Sequence, residues 1–348
     1  IKIGFKWWHG GAQNLAHELG YGRDDIVYST GDVAGQDYST SFYFLLIFGY
    51  TALFYVKMDS PDYKLYRHLL FAVIDDLIAK PVNFFGDMWR VVIGTMPSGH
   101  YVTSHANSYI LALIFWSYVY SVHQRNPIAR IVLTRKRGIY AEYYINPKYF
   151  IRFINYGDNH VSAISKNVNH LVNYLGFKRF AQNFHFKMHE EQYDIPLISV
   201  PDSAGGLKVQ GVTFLKRQFI KIKIGDRDYI VPYKTYVAGA VKIVYGNSER
   251  LNIADFLIAM IGMAWDYQGT NPYVHRIIEQ LFAVASNEYF KQNKKPFDIY
   301  TETKKNQYRT EVLRKLTRKA QISEEDMLRF PSIKELMMRH SYSPKDFY

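Results

Sequence analysis

Pro97-Ser98-Gly99-His100-Tyr101-Val102-Thr103-Ser104-His105-Ala106-Asn107-Ser108 reads as a tight Ser-Gly turn running straight into a helix. Gly99 permits a backbone conformation that a β-carbon would forbid, and Ser98 sits where a hydroxyl projects from the turn. Thr103 and Asn107 are four apart, so they share one face of the helix that follows. The apolar run Tyr109-Ile110-Leu111-Ala112-Leu113-Ile114-Phe115-Trp116 then buries that helix. A helix with a polar start and an apolar body is anchored in a core while it presents hydroxyl and amide groups at one end.

Working outward from this stretch, Ile26-Val27-Tyr28-Ser29-Thr30 has strand character and delivers Asp32 and Asp37, spaced D-x-x-x-x-D, where the strand gives way to a helix. Downstream, Phe150-Ile151-Arg152-Phe153-Ile154-Asn155-Tyr156 alternates as a strand. Gly157-Asp158-Asn159 turns the chain and His160-Val161-Ser162-Ala163-Ile164 returns it, which predicts a hairpin with an acidic tip. Carboxylates from two distant strands meet only if those strands are neighbours. Such a pair serves to hold two divalent cations ~3.5–4 Å apart in a phosphoryl transfer. A single Asp in either place would be an ordinary cap or turn residue.

The chain has 348 residues, enough for two subdomains, and 48 % are apolar, which excludes a disordered tail. A net charge of +12 points to a polyanionic partner, nucleic acid or an anionic membrane surface. No cysteine is present, which excludes disulfides and Cys-ligated metal centres. The apolar runs at 42–56 and 109–122 fall short of the ~20 residues a spanning helix needs and carry several Tyr, so they are read as core helices. A helix over 12–19, a break at Lys80-Pro81, and a helix from Lys166 stopped by Gly176 are expected. So are an extended stretch over 207–223 and a helical pattern from about Ser248 onward. Asn271-Pro272 and Ser332 with Glu335 have the spacing of helix N-caps.

In this order, D-x-x-x-x-D, S-G-x-x-x-T-x-x-x-N-S, Tyr156-Gly157-Asp158-Asn159 and Phe214-Leu215-Lys216-Arg217 resemble motifs A, B, C and E of the picornavirus-like RNA-dependent RNA polymerases. The resemblance covers roughly residues 1–235 and extends more loosely into the helical end. It implies an α+β right hand: a palm of antiparallel sheet backed by helices, partial fingers and a helical thumb. The palm with partial fingers would occupy 1–240, with a fingers-type insertion about 57–97, and the thumb 241–348. It implies template-directed RNA synthesis by two-metal nucleotidyl transfer, with Mg2+ or Mn2+ held by Asp32, Asp158 and Asn159. Asp37, Ser98, Gly99, Thr103 and Asn107 would recognise the nucleotide and its ribose, and Phe214, Leu215, Lys216 and Arg217 the primer. A lysine in the next motif would protonate the pyrophosphate; Lys187 is the candidate, with Lys178 and Lys208 as alternatives. The implied partners are an RNA template-primer, nucleoside triphosphates and other viral replication proteins, with membrane association only indirect. The implied location is the host cytoplasm, at viral replication complexes.

The sequence departs from the family pattern in two ways. The usual Asp-Asp of motif C is Asp158-Asn159, which keeps an oxygen ligand but loses a charge and suggests a shift toward manganese. The chain starts at Ile1, shortly before Asp32, so the upstream fingers are expected to belong to a longer precursor. A polymerase-shaped RNA-binding replicase subunit without catalysis is the rival reading. His185 and His189, four apart with Glu190 beside them, are read as a partly exposed pair on a helix and not as metal ligands. Arg309, Arg314, Lys315, Arg318 and Lys319 form a basic helical stretch, a solvated face that in a thumb would line a duplex channel.

Overall fold

The structure, a computed structural model, describes residues 1–2, 5–53, 58–84, 86, 88–96, 102–126, 150–237, 252–298, 302 and 329–341. Ser98 and Gly99 lie outside these residues, as do the expected boundary at 240/241 and the basic stretch from Arg309 to Lys319. The fold is mixed α+β with antiparallel sheets. Its chain divides into two compact units: Ile1–Gly4 with Arg23–Ile195, and Phe5–Gly22 with Pro196–Tyr348. The first helix, α1 (Gly11–Glu18), therefore belongs to the second unit.

The first unit is built on four strands: β1 (Ile26–Ala34), then β4 (Ile151–Tyr156), β5 (Asn159–Ser165) and β6 (Lys187–Ile195). Between β1 and β4 come α2 (Gln36–Ser39), α3 (Phe42–Leu53), α4 (Tyr63–Ile78), the hairpin β2 (Ala79–Phe84) and β3 (Met88–Ile93), and α5 (Thr103–Arg125). Between β5 and β6 come α6 (Lys166–Asn169) and α7 (Tyr174–Gln182). The sheet order is β4-β5-β1-β6 and every neighbouring pair is antiparallel. Thus β1 lies parallel to β4 across β5, and β5 parallel to β6 across β1. These are the two interlocked crossovers of a β-α-β-β-α-β unit.

Helix α5 is the spine of this unit. No Gly or Pro interrupts it, and Ala106, Ile110, Ile114 and Phe115 are fully buried. Phe115 stacks on Phe153 of β4 at 4.2 Å and meets Phe177 of α7 edge-on at 5.2 Å. The helix stops at Asn126, whose extended backbone is the conformation favoured before Pro127. No helix among the described residues is long and apolar enough to cross a membrane.

Helix α4 ends at Ile78, just before the expected break at Lys80-Pro81, and the chain continues as β2, where Pro81 pairs with Val91 and both strands are edges that tolerate a missing N–H. One local expectation is corrected: Gly176 does not stop a helix but lies in the first turn of α7, with its N–H donating to the Asn173 cap at 2.8 Å. A β-carbon at Gly176 would sit 2.2 Å from the Tyr118 hydroxyl of α5, so the glycine sets how closely α5 and α7 approach. Gly176→Ala is expected to destabilise by about 1–3 kcal/mol in urea unfolding although Ala is the better helix former. Tyr118→Phe should recover part of the loss, and a neutral Gly176→Ala would refute the close approach.

In the second unit, β7 (Val200–Pro201) pairs with β8 (Leu207–Val209), and β9 (Thr213–Phe214), β10 (Arg217–Ile224) and β11 (Arg227–Tyr233) form a three-stranded sheet. Helices α8 (Ile253–Tyr267) and α9 (Pro272–Asn293) pack on each other, and α10 (Ile333–Met338) adds Leu336 to the core of Trp8, Ile261 and Trp265. The caps are those expected: Asn271 accepts from the Val274 N–H at 3.2 Å and Ser332 from the Glu335 N–H at 3.2 Å.

Candidate active site

Strands β1 and β5 pair from Ile26 with Ser165 to Gly31 with His160, and the β4–β5 hairpin closes at Tyr156 opposite Asn159. Asp32 follows immediately after Gly31, and Asp158 sits in the two-residue loop just past the His160 pair. The register alone thus brings the two carboxylates together. Asp32 lies inside β1, which runs on to Ala34, and not past a strand end as expected. Gly157 takes φ +62° at the loop, a conformation that its lack of a β-carbon makes easy.

The Asp32 carboxyl is pushed up to about 6, first by burial and then by the negative charge of the adjoining Asp158 carboxyl, with Glu190 adding to it. The Val33 N–H, donating to Asp32 Oδ1 at 3.0 Å, acts in the opposite direction. Asp158 Oδ1 accepts from the Asn159 N–H at 3.1 Å. Two hard-oxygen ligands that repel each other in a half-buried site form a donor set that suits a small divalent cation. Magnesium in particular takes one or two carboxylates and completes its shell with water and phosphate. Among the described residues no group of three or more His, Cys, Asp or Glu side chains is gathered around one point.

Asp37 falls in the short helix α2, and its Oδ1 accepts from Asn107 Nδ2 of α5 at 2.8 Å. Gln36 Nε2 donates to the Asn107 carbonyl at 2.9 Å, and the Met96 N–H to the Asp37 carbonyl, so both ends of the contact are fixed. Asn107 is buried, and among the described residues its Oδ1 finds no donor. Thr103 is the first residue of α5, one turn before Asn107. Ser108, next to Asn107, ties this helix to the acidic loop: its Oγ accepts from the Gly157 N–H at 2.7 Å, and its carbonyl from Asn155 Nδ2 at 2.7 Å.

Sequence reasoning missed two residues here, His160 and Tyr174. His160 is fully buried, with Nδ1 3.0 Å from the Asp158 carbonyl and Nε2 2.6 Å from the Tyr174 hydroxyl. A histidine facing the core side of a strand directly after the acidic tip was the available signal. Its partner on α7 could be found only from the tertiary structure.

Lys187 pairs with Ala34 and His189 with Asp32 across β1–β6, so both lie on the same sheet face as Asp32, and Lys187 is exposed. Lys178, the first alternative, sits on α7 in an ion pair with Glu191 at 2.7 Å. Lys208, the second, is in β8 of the other unit. The expected helical His185–His189 pair is corrected: His185 lies in the turn after α7 at φ +64° and His189 in β6, so they share no helix face.

In the second unit the F-L-K-R stretch divides by burial. Phe214 is core, Leu215 and Lys216 form the β9–β10 turn at φ +50° and +60°, and Lys216 is exposed. Arg217, expected to face a primer, is buried. Its Nη2 donates to Asp266 Oδ1 of α8 at 2.6 Å, and Lys234 donates to the other oxygen of Asp266. It turns inward because it opens β10, whose alternation puts it on the same face as the buried Phe219, while Lys216 stays in the turn.

No protein-family model and no curated protein sequence matches the chain.

Proposed function

We propose that this chain carries the palm and thumb of an RNA-directed RNA polymerase of the picornavirus-like type, extending an RNA primer on an RNA template from nucleoside triphosphates. The single observation that carries the reading is the meeting of Asp32 and Asp158 beside the Asp37–Asn107 contact of 2.8 Å, from motifs in the family order. The four antiparallel strands with α5 and α7 behind them are the parts a polymerase palm needs. In the proposed reaction the primer 3′-hydroxyl gives up its proton to water, its oxygen bonds to the α-phosphorus, the bond from that phosphorus to the bridging oxygen breaks, and pyrophosphate leaves. Asp32, Asp158 and the Asn159 amide oxygen would hold Mg2+ or Mn2+, which when bound supplies a Lewis-acid clamp on the attacking and leaving oxygens. Lys187, exposed on the Asp32 face, is the proposed proton donor to the pyrophosphate. Lys216 is the proposed contact to the primer backbone. The proposed setting is a viral replication complex in the host cytoplasm, with other replication proteins as partners.

Asp37 and Asn107 discriminate ribose in this reading. Asn107 Oδ1 is a buried acceptor with no donor among the described residues, and a ribose 2′-hydroxyl is a donor that would complete it. Deoxyribose would leave it unpaired, at a cost of about 1–3 kcal/mol. Asn107→Ala is therefore expected to reduce the preference for ribonucleotides by roughly 10–100-fold, mainly by weakening ribonucleotide use.

The deciding experiment is single-nucleotide extension of an RNA primer by the full-length protein, in magnesium and in manganese, with Asp158→Ala as control. Extension that prefers ribonucleotides and disappears in Asp158→Ala supports the polymerase. RNA binding by folded protein without extension in either metal rejects it in favour of a non-catalytic replicase subunit.

A further inference from the structure

Resting on that reading, we infer that His160 and Tyr174 are positioning residues for the acidic loop, forming with Gly31 a buried strut that holds Asp158 against Asp32. A carbonyl only accepts, so the 3.0 Å contact to the Asp158 carbonyl requires the proton of His160 on Nδ1. Nε2 is then the acceptor, and the Tyr174 hydroxyl donates to it at 2.6 Å. The chain of donors therefore runs one way, from Tyr174 on α7 through the imidazole to the Asp158 backbone. The imidazole is packed among aromatic rings, with the Phe153 and Tyr174 ring centroids each 5.5 Å away and Phe177 edge-on. Its main-chain carbonyl also accepts from Thr30 Oγ1 at 3.1 Å, which binds the strut to β1.

Gly31 is the third member. It pairs with His160 across β1–β5 and directly precedes Asp32. A β-carbon there would sit 2.2 Å from the Tyr174 hydroxyl oxygen and 3.2 Å from His160 Nε2. The space that another residue would fill is thus taken up by the hydroxyl that orients the imidazole. Both carboxylates hang from this one contact: Asp32 is one residue beyond Gly31, and the Asp158 carbonyl is the terminal acceptor. Ser108 Oγ pins the neighbouring Gly157 N–H, so the loop is held from two sides and His160 supplies the inner one. Partners behind ligating groups orient them, and losing one typically costs 10–100-fold in metal affinity or activity.

The test uses Tyr174→Phe, which keeps the ring and removes the donor, together with His160→Asn, His160→Gln, Gly31→Ala and the double variant Gly31→Ala/Tyr174→Phe. The Asn amide nitrogen falls near Nδ1 and can still donate to the Asp158 carbonyl; the Gln amide reaches toward Tyr174 instead. Tyr174→Phe is expected to lower kcat for nucleotide addition about 10–100-fold with the nucleotide KM unchanged. It should also raise the magnesium and manganese concentrations for half-maximal rate and shrink the rise in thermal midpoint that each ion produces. Asn at 160 should retain more activity than Gln. In melts without divalent ions, Gly31→Ala should lower the midpoint by several degrees and Tyr174→Phe should restore most of it, because the double variant removes the clashing oxygen. Wild-type kcat and wild-type metal response in Tyr174→Phe would overturn the positioning role while leaving the polymerase reading intact. Additive losses in the double variant would overturn the strut itself. An inactive wild-type protein whose double variant still shows the rescue would reject the polymerase and, with it, the catalytic purpose of a strut that is then only structural.

Discussion

Asp266→Ala is expected to lower the unfolding free energy of the second unit by about 3 kcal/mol or more, measured by urea denaturation. Arg217 and Lys234 are both largely buried and both direct their charge to this one carboxylate. Arg217 Nη1 is buried and finds no acceptor among the described residues, so the guanidinium depends on Asp266 for its compensation. Burial lowers the pKa of Arg217 and the Asp266 charge opposes that shift; without Asp266 a cation is left in an apolar site. Arg217→Met should cost clearly less, because it removes the charge and leaves Asp266 with Lys234. Lys216→Ala should leave stability unchanged but weaken RNA binding and reduce its salt dependence by roughly one phosphate contact. Thus neighbouring basic residues of one motif separate by readout. If Asp266→Ala were neutral and Arg217→Met weakened RNA binding instead, Arg217 would have to reach the solvent.

Acidification from about pH 6.5 to 4 is expected to destabilise the same unit by about 3 kcal/mol through His340 alone. His340 is 4 % exposed, donates Nε2–H to the Gln268 carbonyl at 3.1 Å and stacks on Trp8 at 5.3 Å. Burial pushes its pKa down from 6.5 to about 4, and the nearby His9 and Arg217 push the same way, against the Gln268 hydrogen bond. The unfolded chain takes up a proton near pH 6.5 while the folded chain stays neutral until about pH 4. Between those values the unfolded state holds more protons, so stability falls as pH falls and is fully present above about 6.5. Asp32, in the other unit, has the opposite sign: its raised pKa makes the folded state less favourable as pH rises through about 4 to 6. Asp32→Asn should therefore raise the metal-free thermal midpoint at neutral pH and make little difference near pH 4. A His340→Gln variant whose pH–stability profile matches the wild type would show that His340 is not the group responsible.

Local sequence determined a good deal by itself. The β-branched run before Asp32, the uninterrupted helix after Thr103, the Gly157 hairpin and the Asn271 and Ser332 caps depend on neighbours within a few residues, and all are where the residues predict. What the sequence left open were contacts between residues far apart. Gly176 reads as a helix stop, since propensity says so, yet its use is to make room for Tyr118, 58 residues earlier in the chain. Arg217 reads as a primer contact from its motif, and only the fold places Asp266 opposite it. Only the β4-β5-β1-β6 order decides that Asp32 and Asp158 meet, that Asn107 reaches Asp37, and that Gly31, His160 and Tyr174 share one buried space. Backbone preferences act over a turn or two and can be read along the chain. Close packing and charge compensation act across space, and which partners they join is fixed only once the strands have taken their order.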